Sequence, residues 1–164
     1  MRRLLAAFAL TSLAGAAGAE PAPLLEPMAF LAGHCWKGTF ADGKTTDEHC
    51  FAWMYGGRVL RDTHTVRRPG QPDNVGESTY YVDAIGNRVA YLYIENGGGS
   101  SRGTVESLPE ALLFPDAHYA ADGEALVYRA RWTRQGERAY EAWSEAQTPD
   151  GWTTMFKLVL KRVD

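Results

Sequence analysis

The chain has 164 residues, 45% of them hydrophobic, with 17 Lys and Arg against 20 Asp and Glu and a formal net charge of −3. That length holds one domain with a real core but not comfortably two. The mildly acidic balance, with no basic run beyond Arg67-Arg68, argues against nucleic acid as a partner, because phosphate binding needs concentrated positive surface.

The first residues concern compartment. Met1-Arg2-Arg3 is a positive start, residues 4–13 are an apolar run, and Ala17-Gly18-Ala19 is the small-x-small pattern that signal peptidase accepts. Residues 1–19 therefore read as a secretory signal peptide, leaving residues 20–164 as a single domain. The apolar run is too short to span a bilayer. A lipid anchor is not expected, because Leu13-Ala14-Gly15 is followed by Ala16 and not by cysteine. The mature chain is expected in an oxidising space, periplasmic or secreted.

After a lead containing Pro21, Pro23 and Pro27 comes a single helical turn at residues 28–32 and then no convincing helix. Short runs rich in Val, Tyr, Trp, Phe and Thr follow. They are separated by Asp42-Gly43, Gly56-Gly57, Gly86-Asn87, Pro109-Glu110, Asp122-Gly123, Gln135-Gly136 and Asp150-Gly151. Such dipeptides mark hairpin turns. About ten strands at this spacing imply an all-β antiparallel barrel or sandwich. The irregular stretches RRPGQPDNVG (67–76) and NGGGSS (96–101) read as loops at the barrel ends.

Tight turns also set register, because residues opposite one another in a hairpin have position numbers with a constant sum. A turn at Asp42-Gly43 puts Cys35 opposite Cys50 and Trp36 opposite His49. Opposed residues have Cα atoms about 5.5 Å apart, within reach of a disulfide. With a secretory signal, a Cys35–Cys50 disulfide is the expected reading, ahead of a free thiol pair or a Cys/His metal site. A turn at Gly56-Gly57 pairs Trp53 with Leu60, Phe51 with Asp62 and His49 with His64. The expected inward face thus carries His49, Trp53, Asp62 and His64. Applied to Gln135-Gly136, the same count puts Ala130 opposite Glu141 and Tyr128 opposite Trp143. Tyr128, Trp132, Glu141 and Trp143 are then expected inside, with Arg129 and Arg131 outside. For Tyr80, Val82, Tyr91 and Tyr93 against Tyr81, Ala90, Leu92 and Ile94, alternation does not choose the buried face.

A strand pattern of this kind, a short N-terminal turn and Gly-x-x-Trp (Gly33 to Trp36) resemble the calycins, the lipocalin and fatty-acid-binding-protein group of closed up-and-down barrels. The stretches EHCFAWMYGGRVLRDTHTV (48–66) and YYVDAIGNRVAYLYIENGG (80–98) resemble more closely a bacterial lipocalin-like family of unknown function. The resemblance implies that Trp36 closes one end of the barrel, under a basic residue of the last strand such as Arg162, and that the interior holds a small apolar or amphipathic molecule. Nitrobindin, a related barrel, binds haem through a histidine of its last strand. Residues 152–164 contain no histidine, so neither haem nor another cofactor is expected.

Three readings fit an inward cluster of His49, Asp62 and His64. It can be an internal hydrogen-bond network, it can orient the polar head of a ligand whose body lies on Trp53, Tyr128, Trp132 and Trp143, or it can supply a general base with Glu141 as acid. No metal is expected, since His49 and His64 give two ligands and Asp62 converges awkwardly as a third. His34 and His118 read as structural or surface histidines. Gly-x-Ser-x-Gly, Walker and His-Glu-x-x-His motifs do not occur. The expectation is a barrel, monomeric or weakly self-associating and without a membrane anchor, that binds a small hydrophobic or amphipathic ligand. The alternatives are a cofactor-free enzyme of proton transfer and an envelope protein acting through its outer surface.

Overall fold

The computed structural model describes residues 20–163; the signal peptide expected at residues 1–19 lies outside them. A 3-10 segment, Pro23–Leu31, precedes ten strands. In chain order these are β1 (Cys35–Thr39), β2 (Thr46–Met54), β3 (Val59–Arg67), β4 (Asn74–Asp83), β5 (Arg88–Glu95), β6 (Ser100–Leu108), β7 (Ala111–Ala121), β8 (Glu124–Arg134), β9 (Ala139–Thr148) and β10 (Gly151–Val163). Each strand pairs antiparallel with the next, and β1 pairs with β10, so the sheet closes on itself and has no free edge.

The first two hairpins keep the expected register although their loops are wider than two residues. In the β1–β2 loop, Asp42 accepts hydrogen bonds from the backbone N–H groups of Lys44 and Thr45. The widening is symmetric, so Cys35 still faces Cys50 and Trp36 still faces His49. Likewise β2 and β3 end at Met54 and Val59, and His49 faces His64. Asp122 and Gly123, both at positive φ, form a true two-residue turn between Ala121 and Glu124.

The β8–β9 hairpin departs from expectation. Its loop closes on a hydrogen bond from Gln135 N to Ala139 O, which pairs Arg134 with Tyr140, Trp132 with Ala142 and Ala130 with Ser144. Relative to a two-residue turn this is a slip by an odd number of positions, and alternation in a strand turns such a slip into an exchange of faces. Tyr140, Ala142 and Ser144 are consequently buried, and Glu141 and Trp143 lie on the outer face. Glu141 pairs there with Lys157, 3.1 Å away, and Trp143 Nε1 donates to Thr154 Oγ1. Strands β4 and β5 present Tyr80 and Tyr91 inward and leave Tyr81, Leu92 and Ile94 exposed.

One end of the barrel is plugged. Leu25, Met28 and Leu31 of the 3-10 segment are fully buried, and Leu31 O accepts a hydrogen bond from Trp36 Nε1 at 3.1 Å. The fully buried Trp36 ring meets Phe30 and Tyr140 edge-on, a favoured aromatic geometry. Trp36 also pairs with Arg162 in the β1–β10 ladder. The loops expected at 67–76 and 96–101 are shorter than that, because Arg67, Asn74 to Gly76, Ser100 and Ser101 belong to strands; residues 68–73 and 96–99 connect strands at the opposite end.

Cys35 and Cys50 form a disulfide across β1 and β2, with Cα atoms 4.0 Å apart and a sequence separation of 15. It suggests a location outside the cytoplasm. No helix among the described residues is long and apolar enough to cross a membrane. Replacing both cysteines with serine should lower unfolding stability by about 3 kcal/mol, as expected for a cross-link closing so short a loop. Urea unfolding of the two proteins checks this, and equal midpoints would contradict it.

Candidate functional site

Two inward features adjoin each other: an aromatic cavity and a cluster of ionisable side chains in its wall. The cavity has a volume of about 340 Å³. Its walls include Tyr80, Tyr91, Tyr93, Phe114, Tyr128, Ala130 and Trp132 lower down, and Asn74, Leu126, Met155 and Phe156 towards the loop end. Tyr128 Oη bonds both Tyr91 Oη at 2.8 Å and Ser101 Oγ at 2.9 Å, so the polar tips of these rings meet within the lumen. Burial, reinforced by Tyr128, pushes the Tyr91 hydroxyl above the ordinary tyrosine range; burial and then Glu95 do the same for Tyr93. These phenols therefore remain protonated and keep their donor capacity.

The ionisable cluster occupies β2 and β3. Alternation puts Asp47, His49, Phe51 and Trp53 on one face of β2, opposite Val66, His64, Asp62 and Leu60 of β3. His49 Nδ1 donates to Asp62 Oδ2 at 2.8 Å, and His49 Nε2 to Asp47 Oδ2 at 3.2 Å. Its ring stacks on Phe51 and stands edge-on to Trp132. Burial alone would lower the His49 pKa, but the facing Asp62 and Asp47 carboxylates outweigh it and raise the value to about 10. Desolvation opposes ionisation of Asp47 as well; the attraction and hydrogen bond of His49, with the closeness of His64, prevail and hold its carboxyl below the usual range. Asp62 is only 2% exposed. His64 Nε2 bonds Tyr93 Oη at 2.9 Å, while its Nδ1 lies 3.5 Å from Asp47 Oδ1. A Cβ on Gly76, opposite His64, would collide with both the His64 and Tyr93 rings, so glycine there makes room for this contact.

Of the residues expected to line a ligand site, Tyr128 and Trp132 border the cavity. His49, Asp62 and His64 lie together in the adjoining wall. Trp53 faces inward opposite Leu60 but packs into the core away from the cavity lining. Glu141 and Trp143 are outside, for the register reason given above. His118 is exposed on β7, and His34 sits at the plugged end, 3.3 Å from Arg162. Asp47, Tyr91 and Tyr93 were not anticipated. Asp47 was discoverable, since it precedes His49 by two positions and must share its face. Asp47, His49 and His64 bring their ligand-type atoms within 4.8 Å of one another.

No family model and no curated protein matches this chain. Among solved structures the chain is similar to the crystal structure of Rv2717c from M. tuberculosis, with TM-score 0.60 and 15% identity, covering 88% of this chain and 100% of that one. At that identity the likeness concerns the fold.

The cluster is buried and charged, so removing one member strands the others. Asp62→Ala should lower unfolding stability by about 3–5 kcal/mol, whereas Glu141→Ala, which breaks a partly exposed outer pair, should change it by less than about 1 kcal/mol. Denaturant titration of both variants tests the assignment of faces; equal effects would contradict it.

Proposed function

We propose that this protein is a periplasmic or secreted barrel of lipocalin-like type that holds one small hydrophobic or amphipathic molecule in its lumen. The observation that carries the reading is the cavity itself. Its volume of about 340 Å³ lies within the range of small-molecule sites, about 300–1,000 Å³. Its walls are chiefly aromatic, with a few converging polar groups, the composition that such sites favour. An apolar body would lie against Phe114, Trp132, Tyr80 and Leu126, gaining roughly 25 cal/mol for each Å² of apolar surface removed from water. Tyr91 and Tyr128 would orient a polar head through their hydroxyls. The plugged end leaves entry to the end that carries the connections at residues 68–73 and 96–99. The fold shared with Rv2717c supports a cavity-forming barrel and does not choose its occupant. The protein acts in this reading as a monomer or weak oligomer, with neither nucleic acid nor a membrane anchor involved.

An apolar fluorescent probe such as anilinonaphthalene sulfonate should bind at a single site and be displaced by lipid extract. Ala130→Phe projects a ring into the lumen between Tyr128 and Trp132 and should weaken probe binding at least about tenfold, equivalent to about 1.4 kcal/mol. Trp143→Phe, on the outer face, should leave it unchanged. Equal probe affinity in wild type and Ala130→Phe would refute occupancy of the lumen.

A further inference from the structure

In the wall beside the cavity, Asp47 and His49 are two residues apart on β2 and project to the same side, and His64 stands directly across from His49 on β3. The two imidazole rings are 5.0 Å apart between centroids. Each ring has one nitrogen held by an outer partner: His49 Nδ1 by Asp62 and His64 Nε2 by Tyr93. The other nitrogen of each ring is turned towards the same carboxylate. His49 Nε2 is 3.2 Å from Asp47 Oδ2, and His64 Nδ1 is 3.5 Å from Asp47 Oδ1.

We propose that Asp47, His49 and His64 bind one divalent transition-metal ion of the zinc class. The inference goes beyond ligand storage and does not depend on it.

Four features of the geometry support it. First, metal-ligating histidines typically have their second ring nitrogen fixed by a carboxylate or another hydrogen-bonding group, which sets the ring orientation. Both histidines here have that arrangement, and for His49 the outer partner is a carboxylate. Second, a tetrahedral ion with bonds of about 2.0–2.1 Å keeps its ligand atoms about 3.3–3.4 Å apart; here one Asp47 oxygen lies 3.2 Å from His49 Nε2, the other 3.5 Å from His64 Nδ1, and one ligand atom from each of the three residues falls within 4.8 Å of the others, so a small side-chain rotation brings all three onto one ion. Third, Asp47 is buried, with 7% of its surface exposed, yet its Oδ1 and the buried Nδ1 of His64 meet only as an ion-pair approach of 3.5 Å, and neither atom makes a hydrogen bond. Buried polar atoms are otherwise nearly always paired, and an ion between them would satisfy both. Fourth, two imidazoles with one carboxylate suit zinc and its neighbours, whereas calcium and magnesium require oxygen shells.

In the metal-bound form His49 gives up the proton that Nε2 donates to Asp47 and coordinates through that nitrogen, while Asp62 continues to accept from Nδ1. His64 donates from Nε2 to Tyr93 and coordinates through Nδ1. Three protein ligands leave the fourth position of the ion for water or for an oxygen donor. Tyr93 belongs both to this shell and to the cavity wall, so the ion would stand next to the ligand chamber.

The purified full chain should retain one zinc ion after dialysis against zinc and gel filtration, measured by elemental mass spectrometry, and should give the visible absorption of four-coordinate cobalt when cobalt is substituted. Asp47→Asn and His64→Ala should weaken zinc binding at least about 100-fold. Tyr93→Phe, which keeps all three ligands and removes only an outer partner, should weaken it about tenfold. His118→Ala, on the exposed face of β7, should have no effect. Failure of the wild-type chain to retain zinc would overturn the proposal even if a ligand variant did not fold. Unchanged affinity in Asp47→Asn, or loss in His118→Ala, would overturn it as well. Probe binding in the lumen is measured separately, so either proposal can fail alone.

Discussion

Side chains in an antiparallel barrel alternate between lumen and solvent, so each loop decides by its parity which set of residues is buried. This constraint governs everything else in the molecule. A loop that widens equally on both strands leaves every facing pair intact, as between β1 and β2 and between β2 and β3. The disulfide therefore sits on one side of the β1–β2 hairpin and the His49 ring on the other. A loop that widens by an odd count exchanges the faces, as between β8 and β9, where Tyr140, Ala142 and Ser144 take the interior and leave Glu141 to an outer pair with Lys157.

Within that frame, burial makes the β2–β3 wall unusual. Asp47 and Asp62 are both buried, and isolated carboxylates in an apolar interior are costly. Their electrostatic partners here are imidazoles. His49 sits between the two and is held in place by Phe51 and Trp132. Across the lumen the hydroxyls of Tyr91 and Tyr128 bond to each other, and that of Tyr128 also to Ser101. The interior thus combines apolar walls with a small number of oriented polar groups, which is the chemistry of a binding chamber more than of a filled core.

The ends of the barrel are just as unequal. Leu25, Met28 and Leu31 are pressed against the layer that contains Trp36 and Tyr140, while the longer connections gather at the opposite rim. Much of this was legible beforehand. Ten strands followed from the turn dipeptides, and the Cys35–Cys50 and His49–His64 pairings followed from two loop centres. The β8–β9 register was not legible, because Gln135-Gly136 marks a turn without fixing how many residues Glu137, Arg138 and Ala139 add to it. The β4–β5 hairpin was ambiguous because both of its faces are apolar; closure of the barrel exposes Tyr81, Leu92 and Ile94. Asp47 lies on the same face as His49 by strand alternation, but Thr45, Thr46, Asp47 and Glu48 form a polar run next to a turn, which by composition reads as loop and hides the strand's start.

The central claim is that an occupied lumen, not the outer surface, is where the protein does its work. Native mass spectrometry of protein purified from its own host compartment tests it most directly. The account predicts a mass above that of the polypeptide alone, which falls to the bare chain on denaturation and releases a small apolar or amphipathic compound. A bare-chain mass under native conditions, together with a lumen that takes up neither probe nor lipid, would contradict it.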